Sequence, residues 1–192
     1  MISRRIAAPF AIVLACAAAP AFAVEAGGIR FDDKVSVGGA ELVANGAGVR
    51  TRLVFDVYAM TLYLPAKAAT AEAALAAKAP RRIALQLMRD VKATDFVDAL
   101  KAGMQANLTE AEFAALKPQV QQFTEIVTSG GEVKKGTQVT IDDVPGAGTR
   151  VSIGGKPQGK DIAGEAFYNA LLKIWLGEKP VQADLKAKLL GK

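Results

Sequence analysis

The stretch from residue 53 to residue 64, LVFDVYAMTLYL, most constrains the fold, because it predicts a strand that is apolar on both faces. Side chains alternate between the two faces of a strand. One face would carry Leu53, Phe55, Val57, Ala59, Thr61 and Tyr63, and the other would carry Val54, Asp56, Tyr58, Met60, Leu62 and Leu64. This pattern is typical of a strand covered on both sides rather than of a half-exposed edge strand. We therefore expect a sheet with further layers packed on it.

Other strands are predicted on either side of this one. Residues 28–65 are interpreted as strands separated by turns at Gly38-Gly39 and Asn45-Gly46, since glycine and asparagine tolerate turn conformations. A further strand is predicted from Arg82 to Arg89. A hairpin is predicted around a Pro-Gly-Ala-Gly turn, with its strands at 137–142 and 149–153.

Helices are predicted between and after these strands. They cover residues 71–78, a segment from Thr94 as N-cap to Gly103 or Asn107, a segment from Thr109 to about Val127, residues 164–176 and residues 183–190. Thr109 and Glu112 have the spacing of a capping box, and Pro118 should kink or split the helix that follows. Strands and helices in this order predict an α+β fold in which a mostly antiparallel sheet packs a layer of helices on one face.

The first 23 residues have the form of a secretory signal peptide. Arg4 and Arg5 give a positive start, an apolar run follows, and Ala21-Phe22-Ala23 matches the small-residue cleavage pattern, so cleavage is expected after Ala23. The signal predicts a periplasmic or secreted location. Residues 24–192 would then form one domain of ordinary size, without a transmembrane segment after cleavage.

Two alternatives remain for this segment. A membrane anchor is disfavoured because the run from Ile6 to Ala23 spans 18 residues, is rich in alanine and is interrupted by Pro9 and Pro20. Lipidation at Cys16 is the second alternative, although Leu14 fits a lipoprotein box poorly and the cleavage motif lies beyond it.

The composition excludes several kinds of site. The chain has no histidine, and its one cysteine, Cys16, would leave with the signal. Nucleophile systems built on Ser-His-Asp or Cys-His are therefore excluded, as are metal sites with imidazole or thiolate ligands. The composition does not exclude an all-carboxylate Mg²⁺ or Ca²⁺ site, but no calcium loop of the EF-hand type is present, and we predict no metal and no cofactor. Without Arg4 and Arg5 the net charge falls from +5 to +3 and is scattered, so nucleic-acid binding is not expected.

Three segments resemble a known family. They are GAGVRTRLVFDVYAMTLYLP (46–65), DFVDALKAGM (95–104) and FYNALLKIWLGEKPVQADLKAKLLG (167–191). Together they resemble the chalcone isomerase-like family in its bacterial, secreted branch, from about Val35 to Leu190. The resemblance implies an open-faced β-sandwich, with a large sheet, a layer of helices and a ligand cleft between them.

The enzymes of that family close a flavanone ring by attack of a phenolate on an enone, and a cleft arginine stabilises the anion. Arg50 matches that arginine, and Tyr58 falls where the isomerases have a cleft threonine. The other positions of the catalytic apparatus are occupied here by Phe96, Ala99, Gly103, Ile174 and Trp175. The resemblance therefore implies that most of the polar catalytic groups are absent.

Arg50 and Tyr58 are more similar to the pair in fatty-acid-binding proteins of this fold from plastids, which hold a carboxylate with an arginine and a tyrosine. A guanidinium can bind a carboxylate with two parallel hydrogen bonds, and a buried arginine without an anion is costly. Arg52 shares the strand face of Arg50, Arg89 ends a predicted strand, and Phe96 is a candidate cleft residue. We count all five as candidate ligand-binding residues.

We therefore expect a non-catalytic periplasmic protein that binds a small amphipathic carboxylate, such as a fatty acid, through Arg50 and Tyr58. One alternative is an intramolecular lyase acting on a phenolic enone, with Arg50 stabilising charge and Tyr58 handling the proton. Another is an interaction protein with a vestigial cleft. Otherwise Arg50 would pair with an internal carboxylate such as Asp56 or reach solvent, and Tyr58 would be a core residue.

Overall fold

The computed structural model describes residues 23–78 and 80–192. Its strands are β1 (Ala23–Ala26), β2 (Ile29–Asp32), β3 (Lys34–Val37), β4 (Ala40–Arg52), β5 (Phe55–Leu64), β6 (Arg81–Leu87), β7 (Val91–Lys92), β8 (Glu132–Val133), β9 (Gln138–Val144), β10 (Gly148–Ile153) and β11 (Lys156–Ile162). Its helices are α1 (Ala71–Ala76), α2 (Ala93–Asn107), α3 (Glu110–Ala115), α4 (Lys117–Thr128), α5 (Glu165–Leu176) and α6 (Ala183–Leu189). Cys16 and the rest of the predicted signal up to residue 22 lie outside the described residues, so cleavage and lipidation stay predictions.

Seven strands form one antiparallel sheet in the order β11-β10-β9-β6-β5-β4-β3. The helices contribute to a core on one face of this sheet. The β1-β2 hairpin packs on part of the other face, while β7 and β8 form a small separate ladder. The α+β prediction, with a mostly antiparallel sheet and a layer of helices on one face, is confirmed.

Strand β5 is covered on both faces, as its sequence predicts. Met60 and Leu62 belong to the core that the helices share, which also contains Trp175. Tyr63 belongs to the second core with Phe31 of the β1-β2 hairpin. The two hydrophobic cores therefore lie on opposite faces of β5, which fixes its register because a slip of one residue would exchange the two faces.

The predicted strand at 53–64 is wrong at its start. Arg52 pairs with Phe55, so Leu53 and Val54 form a two-residue turn between β4 and β5. Leu53 has a φ of 56°, in the left-handed region that favours glycine. The turn carries no glycine, asparagine or aspartate, and its apolar residues give no turn signal in the sequence.

The predicted turn at Asn45-Gly46 is also wrong, because β4 runs through it. Ala44 pairs with Tyr63 and Gly46 with Leu62, so Asn45 is an extra residue in a β-bulge. Its buried amide donates to the carbonyls of Ala68 and Leu189 at 2.9 and 2.7 Å. These contacts tie the middle of β4 to the end of α6.

The helix signals are mostly confirmed. Thr109 and Glu112 form the predicted capping box, and Pro118 lies at the start of α4, where the predicted helix splits into α3 and α4. Helix α2 begins at Ala93 with Lys92 as N-cap, so the predicted N-cap at Thr94 lies inside the helix. No helix within residues 23–78 and 80–192 is long and apolar enough to cross a membrane.

Strand β11 has no counterpart among the predictions. It is an edge strand of sequence KPQGKDI, and most of its side chains are exposed. Lysines and a proline are typical of a sheet edge, because they discourage pairing with another chain, but they remove the apolar alternation by which strands are recognised. Strand β6 ends at Leu87, so Arg89 lies just beyond it and not at its end as predicted.

Candidate functional site

A cavity of about 480 Å³ opens between the end of the β4-β5 hairpin, the segment after β6, the first turns of α2 and the end of α5. Its apolar walls include Val57, Leu100, Ile174 and Val181. The structure places all five residues of the predicted site around it, namely Arg50, Arg52, Tyr58, Arg89 and Phe96. Their roles in binding stay predictions.

Arg50 and Tyr58 lie directly opposite each other on β4 and β5. Residues opposite each other in an antiparallel pair have side chains on the same face. One step on, Thr51 pairs with Asp56, so Val57 is an extra residue in a second bulge. The bulge shifts the alternation of β5 and brings both Phe55 and Tyr58 to the cavity, whereas strict alternation predicts opposite faces for them.

The Arg50 guanidinium is half-buried and uses only one of its nitrogens in hydrogen bonds with described residues. Nη1 donates to the Thr51 carbonyl and, at 3.1 Å, to Oε1 of Gln182. No salt bridge links Arg50 to any carboxylate of the described residues. The expected alternative partner, Asp56, accepts instead from the Thr51 hydroxyl at 2.8 Å. The Nε and Nη2 groups are therefore available to an anion.

Gln182 anchors this end of β4 and was missed by the sequence reasoning. Its Oε1 also accepts from the Thr51 amide at 2.9 Å, and its Nε2 donates to the Val49 carbonyl at 3.2 Å. A glutamine just before a short helix carries no local signal of this role, since its contacts lie more than a hundred residues away in the chain. These bonds hold Arg50 at the cavity without neutralising its charge.

Tyr58 is buried, and its hydroxyl oxygen accepts from Nε1 of Trp175 at 2.9 Å. Burial raises the pKa of Tyr58 to about 12, although the Trp175 hydrogen bond and the Arg50 charge both act to lower it. The phenol is therefore neutral at physiological pH. No hydrogen bond donated by this hydroxyl is found among the described residues, so its proton is available to a ligand beside Arg50.

The raised pKa of Tyr58 predicts a loss of stability in alkali. An unfolded tyrosine has a pKa of about 10 and the folded Tyr58 about 12, so its stabilising contribution is complete below pH 10 and is lost as the pH rises to 12. Between those values, the free energy of unfolding of the wild type should fall by about 2 kcal/mol more than that of Tyr58→Phe. Denaturant titrations at stepwise pH values measure the difference, and equal slopes for the two proteins would contradict it.

The positions that the family resemblance assigns to polar catalytic groups are apolar in the structure. Phe96, Ala99 and Ile174 line the cavity. Gly103 lies against Ile174, and a β-carbon added to Gly103 would come within 2.7 Å of Cγ2 of Ile174. The glycine therefore lets α2 pack closely on α5, and the inner part of the cavity is a hydrophobic chamber.

The mouth of the cavity carries basic groups. Arg52 and Lys92 are exposed there, and the guanidinium carbon of Arg89 lies 5.0 Å from the centroid of the Phe55 ring. Three acidic residues also line the cavity, namely Asp90, Asp95 and Glu132. Asp90 and Glu132 are both paired with Lys134, whereas Asp95 forms no salt bridge with a described residue. No cluster of three or more acidic side chains suited to a metal ion is found in the part of the chain that the structure describes.

Comparison with known proteins agrees with this architecture. The crystal structure of a fatty-acid binding protein of Arabidopsis thaliana is similar, with a TM-score of 0.69 over 85% of this chain and 92% of that chain, at 16% sequence identity. At that identity the likeness shows the fold. No curated protein sequence matches the chain. The family model described as chalcone isomerase-like matches residues 23–191. The chain therefore belongs to the chalcone isomerase-like family.

Proposed function

We propose that this protein binds a fatty acid or a similar long-chain carboxylate in its cavity and does not transform it. The observation that carries the proposal is the pair of Arg50 and Tyr58, which face the same apolar chamber with unused hydrogen-bond donors. The similar Arabidopsis protein, which is described as a fatty-acid binding protein, supports the same class of ligand.

The carboxylate would bind at the charged end of the chamber. Nε and Nη2 of a guanidinium form a fork that matches the two oxygens of a carboxylate, and these groups of Arg50 make no hydrogen bond with the described residues. The Tyr58 proton would supply a third donor. Because Arg50 is half-buried without a carboxylate partner, an anion here would also offset the cost of its burial.

The acyl chain would occupy the apolar part of the cavity. The walls formed by Val57, Phe96, Leu100, Ile174 and Val181 contain no charged group. The volume of about 480 Å³ lies within the range of roughly 300–1,000 Å³ that is usual for small-molecule sites. An open chamber of this size argues against the alternative of a vestigial, filled cleft.

The same geometry argues against an intramolecular lyase. A general acid or base works best with a pKa near the working pH, and Tyr58, with a pKa of about 12, is far above it. The positions from which the family's enzymes support the enone oxygen carry Phe96 and Ala99 here. Arg50 could stabilise an anion, but Tyr58, the residue directly opposite it, is not suited to move the proton at neutral pH.

We also propose that the protein acts in the periplasm or outside the cell. This rests on the signal pattern of residues 1–23. N-terminal sequencing of protein recovered from a periplasmic fraction tests it, and a mature chain starting at Val24 is the expected result.

Arg50→Ala should weaken fatty-acid binding. Losing charge-assisted hydrogen bonds to a carboxylate costs about 2 kcal/mol, which corresponds to roughly 30-fold in affinity. Isothermal titration calorimetry of lipid-stripped protein with palmitate measures the effect. Arg30→Ala is the matched control, because it removes the same charge from the exposed β1-β2 hairpin.

The ligand offers a second control. Methyl palmitate keeps the acyl chain and lacks the charge, so it should bind the wild type weakly. Its affinity should be the same for Arg50→Ala as for the wild type. Equal affinities of wild type and Arg50→Ala for palmitate would refute the carboxylate clamp. Turnover of a chalcone by the wild type, lost in Arg50→Ala, would instead establish the lyase alternative.

A further inference from the structure

The turn between β4 and β5 exposes a continuous apolar surface. Leu53, Val54 and Phe55 are 90%, 83% and 55% exposed, and they are the large hydrophobic residues that stand out in solvent among the residues described. We call these three residues the hydrophobic tip. They are consecutive, so their exposure forms one patch at the end of a hairpin and not scattered surface positions.

Neither the backbone conformation of the turn nor its exposure to water favours the apolar residues of the hydrophobic tip. Leu53 has a φ of 56°, a backbone conformation in which leucine is strained and glycine is not. A hairpin turn with a positive φ at its first central residue favours glycine there. An exposed leucine at this position is thus unfavourable both for the backbone and for hydration in the isolated protein.

Basic side chains surround the hydrophobic tip. Arg52 precedes it, Arg89 stacks on the ring of Phe55, and Lys92 lies at the same cavity mouth. None of these three forms a salt bridge with a described residue. The one acidic residue on the hairpin end, Asp56, accepts from the Thr51 hydroxyl. Asp95 is the one acidic residue of the cavity lining that forms no salt bridge with a described residue. Apolar side chains flanked by unpaired cations match the chemistry of an anionic membrane surface, where arginine and lysine reach the headgroups.

The position of the hydrophobic tip supports the same partner. Leu53 and Phe55 line the mouth of the cavity whose charged end holds Arg50, while Val54 is not part of its lining. A bilayer touching the tip would therefore lie over the opening, and an amphipathic ligand could pass between membrane and cavity without exposing its chain to water.

We propose that the hydrophobic tip inserts into the surface of an anionic phospholipid bilayer and docks the cavity mouth against it. Leu53, Val54 and Phe55 enter the boundary between headgroups and acyl chains. Arg52, Arg89 and Lys92 contact phosphate groups. This docking does not depend on which ligand the cavity binds.

Flotation of lipid-stripped protein with vesicles tests the proposal. Vesicles of phosphatidylcholine mixed with phosphatidylglycerol should carry the protein upward, and vesicles of phosphatidylcholine alone should carry much less. Binding should weaken with added salt, because the screening length falls from about 30 Å at 0.01 M to about 3 Å at 1 M.

Single substitutions separate the contributions of the apolar and the basic residues to membrane binding. Val54→Ser should lower the partition coefficient roughly tenfold, since one buried valine side chain is lost from the membrane, and should leave palmitate affinity unchanged. Leu53→Gly should lower partition similarly without lowering thermal stability, because it removes the strained φ. Arg52→Gln should lower the partition coefficient onto anionic vesicles roughly fivefold. Lys34→Gln, at the opposite end of the sheet from the β4-β5 turn, is the matched charge control and should have no effect.

Equal flotation of wild type and Val54→Ser, or equal binding to neutral and anionic vesicles, would overturn the proposal. So would a concentration-dependent dimer that Val54→Ser abolishes, since the hydrophobic tip would then be a contact between two copies. The vesicles contain no free fatty acid, so failed docking would leave the fatty-acid clamp standing, and a failed palmitate titration would leave docking standing.

Discussion

Arg81→Ala should lower the free energy of unfolding by about 3–5 kcal/mol, because it leaves a buried carboxylate without its partner. Arg81 is fully buried, and its Nε and Nη2 lie 3.0 and 2.6 Å from Oδ2 of Asp143, directly across from it on β9. Its Nη1 donates to Asn169 at 2.8 Å, and its guanidinium carbon lies 4.8 Å from the centroid of the Tyr168 ring. Nη1 also donates to the Leu75 carbonyl of α1 at 3.2 Å, so the pair links the sheet to α1 and α5.

Urea unfolding followed by circular dichroism measures this loss. Arg30→Ala removes an arginine from an exposed pair with Glu25 and should cost less than about 1 kcal/mol. The double variant Arg81→Met/Asp143→Leu should be more stable than Arg81→Ala, since it removes both charges. A cost for Arg81→Ala no larger than that for Arg30→Ala would show that the buried pair does not hold these layers together.

Trp175→Ala should be similarly destabilising, by about 3–5 kcal/mol, because it leaves a large cavity in the core between the sheet and α5. Trp175 is fully buried, and its indole donates the hydrogen bond that orients the Tyr58 hydroxyl. Urea unfolding measures the loss of stability. Palmitate affinity, measured in the absence of denaturant, should fall as well, since Tyr58 loses the contact that aims its proton.

Trp175→Phe separates packing from hydrogen bonding. Phenylalanine keeps most of the apolar volume and lacks the indole donor, so the stability loss should be less than half of that for alanine. Tyr58→Phe removes the other partner of the same bond, and its effect on palmitate affinity should be close to that of Trp175→Phe. Unchanged affinity in both variants would mean that the Tyr58 hydroxyl takes no part in binding.

Much of the fold could be predicted from local patterns. The two-sided burial of β5, the capping box at Thr109 and the helix break at Pro118 each depend on neighbouring residues. The turn wrongly predicted at Asn45 and the strand wrongly predicted through Leu53 have the same cause, which is that each residue adopts a conformation its type does not favour. An asparagine can satisfy a bulge through contacts with distant carbonyls, and a leucine can occupy a strained turn, so residue type alone does not locate the hairpin.

The site was only partly predictable. The family resemblance singled out Arg50 and Tyr58, and their pairing across two strands follows from the register. The bulge at Val57, which turns Phe55 toward the cavity, has no sequence signal. The roles of Gln182 and Trp175 depend on contacts across most of the chain. Local sequence patterns cannot reveal a hydrogen bond whose two partners lie more than a hundred residues apart.

The attachment of β4 to the C-terminal segment has a consequence for the order of assembly. Gln182 lies 132 residues after Arg50 in the chain. Leu189, whose carbonyl accepts from Asn45, lies 144 residues after Asn45. Contacts of such long range form late, because the chain entropy of closing a large loop is lost before the contact forms. During synthesis, the hairpin that carries Arg50 emerges early and remains without these anchors until the last helix is made. The end of the cavity that holds Arg50 is thus a late product of folding, and it is complete only after the rest of the fold is in place.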